Sequence, residues 1–187
     1  MEDAEFDQAL IASAMDVVAQ SGWRRLSVVA AARAAGLPLA RARARFACRF
    51  DILRRFGRLA DQAGLTGIVE DGPVRDRLLG MVMSRIDVLQ AHRAGVTALL
   101  RDMVQDPLSG MALLGQTASS MRWLLDAAGV DTAGPIGTLR VKAMLGVWLY
   151  TLNAWRQDET EDLSPTMAAL DRALQRAEQA ENSLGGA

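Results

Sequence analysis

The chain of 187 residues has one cysteine, one histidine, one tyrosine and one lysine. Each scarcity excludes something. A lone Cys48 cannot form an intrachain disulfide and suits a reducing compartment. There is no zinc-ligand spacing, no nucleophile–base–acid constellation and no glycine loop of the kind that cradles phosphate. The chain therefore reads as a non-enzyme that uses no cofactor and no metal. Long apolar runs are missing too. The longest strongly apolar stretch without a charge, residues 143–155, has 13 residues, and a helix needs roughly 20 to span a bilayer. The opening Met-Glu-Asp-Ala-Glu is acidic, the wrong sign for a signal or transit peptide. These features place the protein in the cytoplasm with no stable membrane insertion.

What is present is arginine, unevenly placed. Ten of the arginines fall between Trp23 and Arg58, against a single acid, Asp51. Residues 1–22 hold five acids and no base, and residues 61–187 are acidic again. A chain of net charge −1 thus conceals a concentrated basic stretch, a candidate footprint for phosphate.

The local signals are helical nearly throughout. Ala, Leu, Arg, Met and Gln dominate, and these favour helix. Pro38, Pro73, Pro107, Pro135 and Pro165 each sit where a helix can begin, because the first helical position needs no N–H. Asp106 and Ser164 are placed to cap two of those helices. The expected helices cover residues 3–20, 27–34, 38–45 and 49–63, then 74–92, 95–104, 107–128, 135–157 and 165–181. The first buries Phe6, Leu10, Ile11, Met15 and Val18 at helical spacing, and the fourth buries Ile52, Leu53, Phe56 and Leu59. Residues 64–72 read as a linker. This gives an all-α chain of about nine helices, with a small head over residues 1–64 and a larger helical body over residues 65–187.

Within the head, a short helix, a turn around Gly36 and a second short helix form a helix-turn-helix pattern. In that arrangement the second helix enters the DNA major groove. Arg41 and Arg45 are four apart, so they share a face that would meet base edges or groove-lining phosphates; Arg43 points elsewhere. Arg24, Arg25, Ser27, Arg33, Pro38 and Arg49 surround this helix as backbone-positioning candidates. The alternative is that these arginines only solvate an amphipathic head.

Residues 8–60 resemble the DNA-binding head of the tetracycline-repressor (TetR) family. The likeness rests on Ala9-Leu10, Ala14, Gly22, Ser27, Ala35-Gly36-Leu37, Phe46 and Ile52-Leu53. It implies an all-helical homodimer, paired through its last two helices, that binds operator DNA and answers to a small molecule in its body. Three places depart from the family's usual pattern: Pro38 replaces a small polar residue, Arg43 a tyrosine, and the tripeptide Ala47-Cys48-Arg49 a Pro-Ser-Lys.

Residues 74–172 are similar to a second group, the lipid-binding accessory proteins of ubiquinone biosynthesis, which share that fold. The matching residues include Val74-Arg75-Asp76-Arg77, Ala91-His92-Arg93, Trp123, Ala128-Gly129 and Asp158 to Asp162 with Pro165-Thr166. This likeness implies a lipid-binding protein without DNA-binding activity. Either way the body is expected to take a small hydrophobic or lipid-like ligand. Met81, Arg85, His92, Met103, Met121 and Trp123 are the candidates for lining its site, although methionines at this spacing equally suit a packed core. Arg85 and His92, seven apart, are expected on one helix face. Trp123, Trp148 and Trp155 are expected as core or interface anchors. Gly146, unusual inside a helix, suggests a close helix–helix approach. The acids at 158–162 read as a solvated loop.

Overall fold

The computed structural model describes residues 1–66 and 72–185. The described residues form α-helices and one 3-10 turn, with no strand among them. The helices are α1 (Asp3–Ser21), α2 (Val28–Ala34), α3 (Leu39–Arg45), α4 (Arg49–Thr66) and α5 (Val74–Gln90). They continue as α6 (Arg93–Gln105), α7 (Pro107–Ala127), α8 (Gly134–Gln157) and α9 (Ser164–Gly185). The 3-10 turn is Trp23–Arg25, between α1 and α2. The all-α expectation holds, and each expected helix is found within a few residues of its place. α4 runs on through Gly64 to Thr66, where a linker was expected. The remainder of that linker, residues 67–71, lies outside the described residues.

Capping chemistry sets several boundaries. Ser27 Oγ accepts the Ala30 N–H at 3.0 Å and starts α2. Asp106 Oδ1 accepts the Ser109 N–H at 3.2 Å, so Asp106 caps α7 as its place before Pro107 suggested. Ser164 does not cap α9. The cap position belongs to Leu163, which takes a positive φ of 52°, and Ser164 is already helical.

The chain packs as two compact units, residues 1–59 with 88–116 and residues 60–87 with 117–187. In the first, α1 lays Phe6, Leu10, Ile11, Ala14, Met15 and Val18 into the core. α6, which the sequence reading counted with the body, packs against α1. Gly95 makes that approach close, since a Cβ there would collide with the Met15 backbone. Trp23 is fully buried and tied down from several sides. Its N–H donates to Asp102 Oδ2 at 2.8 Å, its indole Nε1–H to Ser109 Oγ at 3.3 Å, and the Arg49 guanidinium stacks 4.6 Å over its ring.

In the second unit, α8 and α9 pack side by side. Val141, Met144, Trp148, Leu152 and Trp155 of α8 are buried, as are Thr166, Ala169, Leu170 and Leu174 of α9. The apolar face of α9, expected to pair with a partner copy, is therefore largely spent inside its own chain. The acids at 158–162 are also not uniformly solvated. Asp158 is buried, and its Oδ2 accepts the Thr166 N–H at 2.9 Å and the Thr166 hydroxyl at 2.6 Å. Asp158 thus satisfies the first turn of α9 from the preceding loop.

Candidate nucleic-acid interface

The helix-turn-helix forms where the sequence placed it. α2 ends at a turn in which Gly36 adopts φ 65°, a left-handed conformation that suits glycine. Pro38 then occupies the cap position of α3 with an extended backbone and stays exposed. Ala42 and Phe46 are buried and hold α3 onto the head.

The arginines divide into two groups. Arg41 and Arg45 do share a face, but it is turned onto α1. Arg41 Nη2 donates to Asp3 Oδ1 at 2.6 Å and Nη1 to the Met1 carbonyl at 3.1 Å, and its guanidinium lies 4.6 Å over the Phe6 ring. Arg45 donates through Nε and Nη2 to the two oxygens of Asp7, at 2.6 and 2.8 Å, and reaches Asp3 through Nη1. Arg55 joins the same cluster, pairing with Asp7 and donating to the Arg45 carbonyl at 2.9 Å. The Arg45 guanidinium is held well above its usual value, chiefly by its hydrogen bonds to Asp7. The expectation that Arg41 and Arg45 form the outward reading face does not match this geometry: the acids of α1 occupy them first.

The second group faces solvent. Arg25 and Arg33 are exposed, with no ion-pair partner among the described residues. Arg24 is exposed and spends one N–H on the Gln105 carbonyl at 3.2 Å. Arg43 spends one on the Ala47 carbonyl at 3.0 Å and is otherwise open. Arg49 is half-buried, donating to the carbonyls of Trp23 and Arg24. A half-open groove of about 330 Å³ runs along this side of the head. Leu26, Val28, Val29, Leu39 and Phe46 give it an apolar wall, with Ser27, Arg43, Cys48 and Arg49 also lining it.

Most of the chain superposes on solved structures. The crystal structure of a TetR transcriptional regulator from Nitrosomonas europaea ATCC 19718 matches with a TM-score of 0.74, covering 94% of this chain and 99% of that one at 18% identity. The chain has the TetR fold. A proposed transcriptional regulator of Streptomyces coelicolor A3(2) matches less closely, with a TM-score of 0.50 at 20% identity over 89% of this chain and 96% of that one. No protein-family model and no curated protein sequence matches the chain.

The body candidates of this TetR-fold chain do not gather as one set. Met81, Arg85, Met121 and Trp123 belong to the second unit, His92 and Met103 to the first. His92 is not on the Arg85 helix. α5 stops at Gln90, and His92 takes the cap position of α6 with its ring edge-on to Phe56 at 5.7 Å. Met103 is core of the first unit. Trp123 is 63% exposed, because α7 turns Ser120, Met121, Leu124 and Leu125 inward and leaves position 123 outside that stripe. Trp148 and Trp155 are core, as expected.

Arg85 is the candidate with the most unusual surroundings. It is only 4% exposed, pairs with Asp61 and lies 4.7 Å over the Trp148 ring. Ser120 Oγ donates to the other Asp61 oxygen at 2.8 Å. Arg85 Nε has no hydrogen-bond partner among the described residues. Burial pulls the guanidinium down to about 10, so it remains charged at neutral pH. Met81 and Met121 are buried in the same unit.

Sequence reasoning missed Asp3, Asp7, Asp61 and Asp158, all of which order a basic or amide group from afar. For the first two a signal existed: Asp3 and Asp7 are four apart on an acidic helix that precedes a basic one.

Proposed function

We propose that the protein is a DNA-binding transcriptional regulator, a repressor, controlled by a small hydrophobic or amphipathic ligand in its body. The observation that carries this reading is the exposed side of the helix-turn-helix. α3 is offered to solvent beside Arg24, Arg25, Ser27, Arg33, Pro38, Arg43 and Arg49, within a chain whose fold matches a TetR regulator over nearly its full length. Arginines and a helix N-terminus around a projecting helix are the means by which such heads hold phosphate and fix register. The head acts as a homodimer on a two-fold operator, and the body ligand alters the spacing of the two heads. In this reading Arg41 and Arg45 reach DNA only after exchanging Asp3 and Asp7 for phosphate. The test is footprinting of the purified protein on the DNA flanking its own gene. Protection of a two-fold site at nanomolar protein and moderate salt supports the reading. Equal, salt-sensitive binding to all sequences counts against it.

One observation favours a second reading, a lipid-binding accessory protein of ubiquinone biosynthesis with an idle head. Both arginines on the recognition-helix face that sequence reading assigned to DNA are already satisfied by α1. Native mass spectrometry of the protein as purified tests it. A co-purifying isoprenoid lipid together with an absent footprint supports this reading over the first.

A further inference from the structure

With Arg41 and Arg45 turned onto α1, the outward face of α3 consists of Leu39, Ala40, Arg43 and Ala44. These positions, i, i+1, i+4 and i+5, form one side of a helix. Only Arg43 carries a polar side chain. Leu39 is 42% exposed, and across the groove from α2 comes Val29, 46% exposed. Both line the same groove as Arg43. Single exposed apolar residues on a surface need no explanation; here two large ones line one groove on the exposed side of the helix-turn-helix.

Apolar side chains cannot read the donors and acceptors of base edges. The one apolar feature of the major groove is the thymine 5-methyl group. We propose, resting on the DNA-binding reading above, that Leu39 and Val29 are specificity-determining residues that pack on thymine methyls, with Arg43 supplying the polar contact beside them. Ala40 and Ala44 keep the rest of the face thin, so the helix backbone approaches the base edges closely. The operator half-site therefore contains thymines at positions set by α3, and their recognition depends on the methyl group rather than on hydrogen bonding.

The experiment selects high-affinity sites from random duplex DNA with the full-length protein, then replaces each thymine of the best half-site by deoxyuridine, which deletes only the methyl. Affinity is expected to fall about fourfold at each contacted thymine, the value of one buried methyl group. In Leu39→Ala the thymine and deoxyuridine duplexes should bind alike at the Leu39 position. A selected site indifferent to every deoxyuridine replacement overturns the inference and leaves the DNA-binding reading standing. Methyl dependence unchanged in both Leu39→Ala and Val29→Ala overturns the residue assignment. If selection enriches no sequence, the DNA-binding reading fails and this inference fails with it.

Discussion

Arg45 of α3 is clasped by Asp7 of α1: Nε donates to one carboxylate oxygen at 2.6 Å and Nη2 to the other at 2.8 Å. A guanidinium and a carboxylate meeting side by side is the same geometry an arginine uses on phosphate or guanine. On the proposed reading Asp7 and Asp3 stand where a nucleic acid would, and DNA would have to compete with them.

The competition is measurable. Asp3→Asn with Asp7→Asn should release Arg41 and Arg45, raise affinity for any duplex and steepen the dependence of log affinity on log salt. Each added phosphate contact contributes about 0.9 to that slope. Titration of the variant and parent between low and moderate salt checks this, and an unchanged slope means the two arginines do not reach phosphate. Acid should weaken the same grip. The Asp3 carboxyl is held below its ordinary value, first by its hydrogen bond from Arg41, so its hold on Arg41 persists at neutral pH and loosens as that carboxyl protonates.

Asp158 gives a stability prediction. Burial works to raise its carboxyl, but donors from Thr160 and Thr166 outweigh burial and bring it down to about 2 from an ordinary 3.8. A carboxyl depressed in the folded state stabilises fully above its unfolded value and loses that contribution as pH falls. The window is therefore between about 3.8 and about 2. Asp158→Ala removes the acceptor for the first turn of α9 and should cost about 2–4 kcal/mol at pH 7, read from urea midpoints. The difference between parent and variant should shrink at pH 3. A constant difference across that range means the charge contributes nothing.

The helices were legible in the sequence because each is announced locally. Five prolines stand at or within two residues of helix starts, Ser27 and Asp106 cap as their positions suggest, and Gly36 makes the turn. The candidate site was legible only in part, because a side chain's direction depends on what lies across from it. Helical spacing put Arg41 and Arg45 on one face correctly. It could not tell that Asp3 and Asp7, nearly forty residues earlier, lie against that face. Asp158 looked like one acid among four until the α9 terminus folded back onto it. Trp123 looked like an anchor because of its size, but the inward stripe of α7 is set by its neighbours.

The Asp61–Arg85 pair offers a test of what a buried charge needs. Asp61 lies on α4 and Arg85 on α5, and Arg85 is almost wholly enclosed. Asp61→Leu leaves the guanidinium buried without its counter-charge, which costs about 3–5 kcal/mol. Arg85→Met alone strands Asp61 in the same way. The double variant Asp61→Leu with Arg85→Met removes both charges and should recover most of the loss. Denaturant midpoints of the four proteins form the cycle, and additive losses would show that the two groups do not sustain each other.

The last prediction concerns α8. Ile136, Leu139, Ala143, Gly146, Tyr150 and Asn153 are all exposed, and they recur at alternating steps of three and four residues. Ile136 is 66% exposed and Leu139 54%. Nothing among the described residues lies within reach of a Cβ at Gly146, so the close approach that a helix-interior glycine permits is not used among them. A second copy crossing here would cover the apolar residues and use the glycine, the seam that coiled-coil spacing makes between helices. Because α9 has spent its buried face on α8, its share of such a seam falls to exposed positions such as Met167. Leu139→Arg places a charge in the middle of the stripe and should convert dimer to monomer in sedimentation equilibrium while the monomer keeps its helical circular dichroism. Gly146→Leu should do the same by bulk alone. A dimer that survives both substitutions must be built on another surface.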